Sequence, residues 1–190
     1  MGTRERRARS NESDKVISQL FTESGANPDE VAIAAVGGFG RGELSPGSDL
    51  DIVIIHADAL SEEELSGLVN QILYPLWDKK IKIDHSVRTR TQMRQAAVAD
   101  LKVAMGLLDI RHICGNSDLV NAVHADSLEM WRKHAIRRLP ELEKSLSERH
   151  QRLGELAYLL EPDLKEARGG LRDITALRAI HRSSVISVPI

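Results

Sequence analysis

The stretch VGGFGRGELSPGSDLDIVII, Val36 to Ile55, sets five glycines and a proline ahead of two aspartates one residue apart, at the mouth of an apolar run. A dinucleotide-binding turn needs G-x-G-x-x-G after a strand. Here Gly38, Gly40 and Gly42 run G-x-G-x-G and Glu43 stands in the sixth position, so the spacing excludes it. A Walker-type loop ends in G-K-S or G-K-T, and no lysine occurs from Val31 to Ile55. A calcium loop needs more oxygen ligands after Asp49 and Asp51, where Ile52 to Ile55 are apolar. What remains is a carboxylate pair on one side of a strand. Side chains alternate along a strand, so Asp49 and Asp51 point one way while Leu50 and Ile52 turn to the core. Such a pair suits Mg²⁺, which takes one or two protein carboxylates and fills its octahedron with water and phosphate oxygens. The glycines let backbone approach those phosphates, and Arg41 adds charge unless it braces Glu43 or Asp49. Alone, Ser48 and Asp49 would read as a turn cap. Behind a buried strand and Gly37-Gly38, the pair reads as a metal site.

Outward from this stretch, VAIAAV (Val31 to Val36) and Ile52 to Ile55 have the short apolar texture of strands covered on both faces. Upstream, the first ten residues read as a flexible arm, followed by a short amphipathic helix with Val16, Ile17, Leu20 and Phe21 at helical spacing and Gly25 as its stop. Downstream, Ser61 followed by Glu62, Glu63 and Glu64 starts a helix that Pro75 should kink or end. IKIDHSV (Ile81 to Val87) alternates like a half-buried third strand. Beyond Thr91 the texture is helical: one or two pieces through Ile113 with Gly115 as a stop, then Asp118 to about Arg138, then Leu139 to Leu160. In the last of these, Leu142, Leu146, Leu153 and Leu156 suggest a bundle helix. The second glycine-marked turn, in EPDLKEARGGLRDI, leads into another short helix. The chain stops at SVPI without an evident cap, as a piece of a longer protein would.

At 190 residues, 42% hydrophobic and 28% charged, the chain can bury a good-sized core, packed by aliphatic side chains since aromatics are 3%. The formal charge of -2 argues against duplex DNA or an anionic membrane as the main partner. No signal-peptide run or membrane-length segment is present, and the lone Cys114 fits a reducing cytoplasm and reads as a core residue.

The order Gly37, Gly38, ten residues, then Asp49-Leu50-Asp51-Ile52 resembles the signature of the DNA polymerase beta-type nucleotidyltransferases. Within that superfamily GGFGRGELSPGSDLDI is similar to the PII-protein uridylyltransferases, the bifunctional uridylyltransferase and uridylyl-removing enzymes of bacterial nitrogen regulation. HSVRT (His85 to Thr89) and EPDLKEARGGLRDI (Glu161 to Ile174) agree, so the resemblance runs from about Val31 to Ile174. It implies an α/β (α+β) polymerase beta-like core with a small mixed sheet over residues 11–100. A helical domain over 101–190 would follow, with nucleotide in the cleft between them.

The resemblance also implies that Asp49 and Asp51 hold two Mg²⁺ ions and that Gly37, Gly38 and Ser48 line the triphosphate. A third carboxylate from the next strand would be Asp84, with Asp100 in reserve; the bland alternative pairs Asp84 with Lys82 or Arg88. Lys165, Gly169, Gly170 and Arg172, with Asp173, form a second glycine-marked site that suits an anion at a helix N-terminus, or else a plain turn between helices. The implied donor is UTP, with ATP the close alternative, and the implied acceptor is a tyrosine hydroxyl of the PII signalling protein. A non-catalytic nucleotide-sensing module is the reading from another class, and the intact aspartate pair argues against it. No adjacent His-Asp pair of the kind the uridylyl-removing domain uses occurs in the chain, so transfer without removal, and without a glutamine response, is expected.

Overall fold

The computed structural model describes residues 2–58, 60–153 and 164–183. The chain divides into two compact units, Met1–Asp126 and Ser127–Ile190. The first contains α1 (Thr3–Glu23), β1 (Val31–Ala35), α2 (Gly37–Gly40), β2 (Leu50–His56), α3 (Glu62–Asp78), β3 (Ile83–Arg88), α4 (Arg90–Ala99), α5 (Leu101–Leu108) and β4 (Arg111–Gly115). Helix α6 (Ser117–Lys133) runs across the division, and α7 (Ala135–Leu153) and α8 (Leu171–Arg182) belong to the second unit.

The sheet has the order β3-β2-β1-β4. Strand β1 is antiparallel to β2 and β4, whereas β2 and β3 run parallel, joined by α3 as the crossover such a pair requires. This is the mixed sheet of the expected α/β core. Alternation sorts its side chains. Val31, Ile33 and Ala35 of β1, with Leu50, Ile52 and Ile54 of β2, join Ile17 and Phe21 of α1 and Ile72, Leu73 and Leu76 of α3 in one core. Ala32, Ala34, Val53 and Ile55 point the other way and are buried too, so the central strands are covered on both faces.

Several expectations are corrected. The flexible arm is the start of α1. Its arginines and glutamate are good helix formers, Glu5 Oε2 accepts from Gly2 N (3.0 Å), and Ser10 is buried where Leu44 N donates to its Oγ (3.4 Å). Helix α3 does not end at Pro75 but runs through it to Asp78. Arg111–Gly115, read as the end of a helical region, is strand β4, so the sheet extends past the edge expected at residue 100. Its five residues alternate in no legible way, and pairing with β1 decides their state. The expected helix from Asp118 to Arg138 divides at His134, between α6 and α7. Its successor, expected over Leu139 to Leu160, is α7, which begins at Ala135 and carries Pro140 inside it. Leu156, Leu160, Glu161 to Asp163 and the terminal SVPI lie outside the described residues. No described helix is long and apolar enough to cross a membrane.

In the second unit, Trp131 is buried and its Nε1 donates to Ala179 O (2.8 Å), tying α6 to α8; Ala135, Leu142, Ala167 and Ala176 are also buried.

Two tests follow from the packing. Asp126 of α6 is 8% exposed and accepts from Arg90 Nε and Nη2 of α4 (2.7 and 2.8 Å), with Arg94 Nη1 at 3.0 Å. Hydrogen bonding from Arg90 holds the Asp126 carboxyl below its ordinary range, against burial and helped by Arg94. A depressed carboxylate contributes stability above its unfolded value, about 3.9, that is lost as pH falls through the folded value. Urea midpoints measured from pH 7 downward should therefore decline in the acid range, and Asp126→Asn should flatten part of that decline. The thiol of Cys114 is pushed up to about 11, chiefly by burial. At pH 8 it should resist iodoacetamide in the native chain and react within minutes once urea unfolds it.

Candidate nucleotide and metal site

The site is laid out at the start of β2. Val36 N, just past β1, donates to Asp51 O (3.0 Å), and the chain then turns sharply through α2. Gly37 has φ +57, which L side chains adopt at a cost, and an added Cβ there would lie 3.5 Å from Asp51 Oδ2. The glycine turn therefore sits against the Asp51 carboxylate. As in any helical start, its leading N–H groups, on Gly37 and Gly38, have no carbonyl within the turn to bond. The return to β2 passes through Ser45-Pro46-Gly47-Ser48, where Ser48 N donates to Ser45 O (3.1 Å) and Gly47 has φ +72. Proline second and a positive-φ glycine third make a type II turn, which delivers Ser48 and Asp49 to the strand.

Asp49, one residue before β2, is exposed; Asp51 is half-buried, on the face of β2 that carries Val53 and Ile55. In the parallel pairing of β2 with β3, Asp51 stands opposite Asp84, so the two project from the same face of neighbouring strands. Leu50 N donates to Lys82 O (2.9 Å), extending that pairing back toward Asp49. Asp84 is exposed and forms no ion pair with Lys82 or Arg88. Asp100, held in reserve, is the N-cap of α5: its Oδ1 accepts from Lys102 N (2.6 Å) and Val103 N (3.3 Å). Among the described residues, no three acidic, histidine or cysteine side chains converge on one metal position. Two facing carboxylates with solvent access nevertheless meet the modest demand of Mg²⁺, a hard cation that keeps its waters.

Arg41 follows the bracing alternative. Its Nε donates to Glu43 Oε2 (2.7 Å) and its Nη1 to Asp109 Oδ2 (2.6 Å), while its Nη2 lies 3.9 Å from the position of a Gly38 Cβ. Burial would lower its pKa, but hydrogen bonds and charge from Glu43 and Asp109 outweigh that and raise it, so the guanidinium stays charged. Behind the turn, Arg111 donates to the carbonyls of Gly40 (Nε, 3.1 Å) and Phe39 (Nη2, 3.2 Å) and forks onto both Asp14 oxygens (2.8 and 3.1 Å). Sequence reading singled out neither Asp14, Asp109 nor Arg111, because no local pattern links residues so far apart along the chain.

The second glycine pair is gathered in the second unit, but its amides are taken. Gly170 N donates to Ala167 O (2.8 Å), Leu171 N to Leu164 O (2.8 Å) and Arg172 N to Lys165 O (3.1 Å). Gly169 N donates to Asp173 Oδ2 (2.7 Å). The anion expected at this helix start is replaced by the chain's own Asp173, whose other oxygen accepts from Arg149 and His150. Gly170 is needed for close approach, since a Cβ would meet the Ala167 and Leu164 carbonyls at 2.8 Å. Arg172 pairs with Glu166, and Lys165 is exposed. The geometry is a self-capped turn, the alternative weighed for this block.

Comparison with known proteins places these observations. Residues 16–153 match the family model described as Nucleotidyltransferase domain, and residues 137–184 match the model described as GlnD PII-uridylyltransferase. The Bifunctional uridylyltransferase/uridylyl-removing enzyme of Streptomyces coelicolor is 47% identical over 188 residues, covering 99% of this chain and 22% of that protein. The proteins of the same name from Mycobacterium tuberculosis and Vibrio cholerae are 41% and 40% identical, covering 82% and 80% of this chain and 19% and 17% of theirs. The chain thus spans about a fifth of the length of these relatives. With the glycine turn and the aspartate-bearing strand inside the matched span, the chain belongs to the nucleotidyltransferase domain family, and nearly all of it is similar to the bifunctional uridylyltransferase/uridylyl-removing enzymes.

Proposed function

We propose that this chain carries the nucleotidyl-transfer site of a PII-protein uridylyltransferase and moves UMP from UTP to a tyrosine hydroxyl of a PII signalling protein in the cytoplasm. The observation that carries the reading is the register that sets Asp84 beside Asp51, two residues on from Asp49, next to a turn whose first two residues, Gly37 and Gly38, carry no side chain. Asp49 and Asp51, with Asp84 as the third carboxylate, would hold Mg²⁺, two ions during transfer. Magnesium held there supplies positive charge to the triphosphate and to the charge that develops at the α-phosphorus. The amides of Gly37 and Gly38 would meet phosphate oxygens, and Ser48 stands at the strand entry to add a hydroxyl. In the reaction the tyrosine oxygen bonds to the α-phosphorus, the bond to the β-phosphate oxygen breaks and pyrophosphate leaves. The tyrosine proton passes to a carboxylate of the set or to water. Asp84 and Asp49 are exposed, as a site that works on another protein's side chain requires.

The test incubates the chain with Mg²⁺, labelled UTP or ATP, and a PII protein. Label should pass from UTP, and Asp49→Ala or Asp51→Ala should lower the rate about a hundredfold or more. No transfer from either nucleotide, together with no Mg²⁺-dependent nucleotide binding, would overturn the reading; equal transfer by the aspartate variants would do the same. Transfer from ATP alone would move the base preference and leave the chemistry. Asp84→Asn should slow transfer more than it weakens UTP binding, and an unchanged rate would remove Asp84 from the metal set.

A further inference from the structure

The glycine turn is four residues long, and one helical turn does not hold itself, because its nucleus costs more than its few bonds return. Its supports come from far along the chain. Arg41 reaches Asp109 across 68 residues, and Arg111 reaches Gly40 across 71 and Asp14 of α1 across 97. Arg111 satisfies the Phe39 and Gly40 carbonyls at the end of the turn, and its guanidinium lies 5.5 Å from the Phe39 ring centroid. At Gly40 the contact is backbone on backbone: a Cβ would fall 2.0 Å from Asp109 O and 3.0 Å from Ala35 O. The Asp109 side chain is 5% exposed. Helix α1 adds Ser10 Oγ, which accepts from Leu44 N just beyond the turn.

We propose that Asp14, Asp109 and Arg111 are positioning residues of the nucleotide site, acting through the Phe39 and Gly40 carbonyls and through Arg41 to fix the Gly37 and Gly38 amides beside Asp51. This rests on the reading of that face as the triphosphate site, and it makes α1 part of the site's frame. The clamp touches no reacting atom. Its loss should misplace the amides that grip phosphate and leave the carboxylates on β2 and β3 where their register holds them.

Arg111→Lys keeps a charge but loses the planar fork, Asp14→Asn removes the charge that orients Arg111, and Asp14→Glu restores it. Each is compared with wild type and with Asp126→Asn, which loosens the α4–α6 brace instead. Binding of Mg²⁺·UTP without acceptor should weaken about tenfold in Arg111→Lys and Asp14→Asn, with Asp14→Glu recovering part of the loss. The KM for UTP should rise in step while kcat at saturating UTP holds. Asp126→Asn, compared at an equal loss of thermal midpoint, should bind UTP as wild type does. Amide exchange at Gly40 to Glu43 should quicken in the clamp variants and stay unchanged across α4. If Arg111→Lys does not fold, Asp14→Asn decides. Unchanged UTP affinity in the clamp variants, or an equal loss in Asp126→Asn, would overturn the proposal. If wild type binds no nucleotide, the transfer reading falls, and unchanged exchange at Gly40 to Glu43 would remove the clamp as well.

Discussion

The hydrogen bond from Val36 N to Asp51 O ties the end of β1 to the start of β2, and the candidate site is laid out from that point. It sets how near the glycine turn stands to the Asp51 carboxylate, because Gly37 is the next residue along. A side chain on that backbone would lie against the Asp51 carboxylate, and the positive φ of Gly37 disfavours one in any case. The parallel pairing with β3 then places Asp84 alongside. Three features contributed by three segments are thus referred to a single strand end.

Around that point the fold adds charge to apolar packing, since Phe39 of α2 and Leu44 just past it are buried in the core. The α2 region is braced by Arg41, Asp109, Arg111 and Asp14, while the aliphatic core of α1, α3 and the sheet lies behind it. Buried or half-buried ion pairs add little net stability against an apolar alternative, but removing one partner leaves the other desolvated and unpaired. Such a network specifies one geometry for the turn, which a layer of interchangeable aliphatic side chains would do less sharply. The same economy recurs in the second unit, where Asp173 closes on Gly169, Arg149 and His150. There the chain's own carboxylate occupies the place an anion would take at the start of α8.

Much of the core was legible because its signals are local. Val31 to Val36, Ile52 to Ile55 and Ile81 to Val87 each announce a strand by apolar runs or alternation, and Ser61 starts α3 as read, closing a capping box with Glu64. Errors fell where tertiary contact outweighs local preference. Arg111 to Gly115 has no period of its own and becomes a strand because β1 offers an edge. The arginine-rich start is composed of helix formers, and burial of Ser10, Ile17 and Phe21 adds the tertiary contact that docks the helix. Asp100 and Arg41 carry the right charge for a site but are used locally, one as a helix cap and the other as a loop brace.

From the sequence alone it followed that Asp51 turns away from Leu50 and Ile52, since strand side chains repeat every second residue, and that the glycines before it leave backbone bare. Those are properties of a few consecutive residues. Only the tertiary structure decided that Asp84 stands beside Asp51, that Asp109 and Arg111 hold the turn, and that the second glycine pair is closed. Each of these joins residues through a strand register or an ion pair, and such pairings are settled by how helices and strands pack, which no short window of sequence encodes.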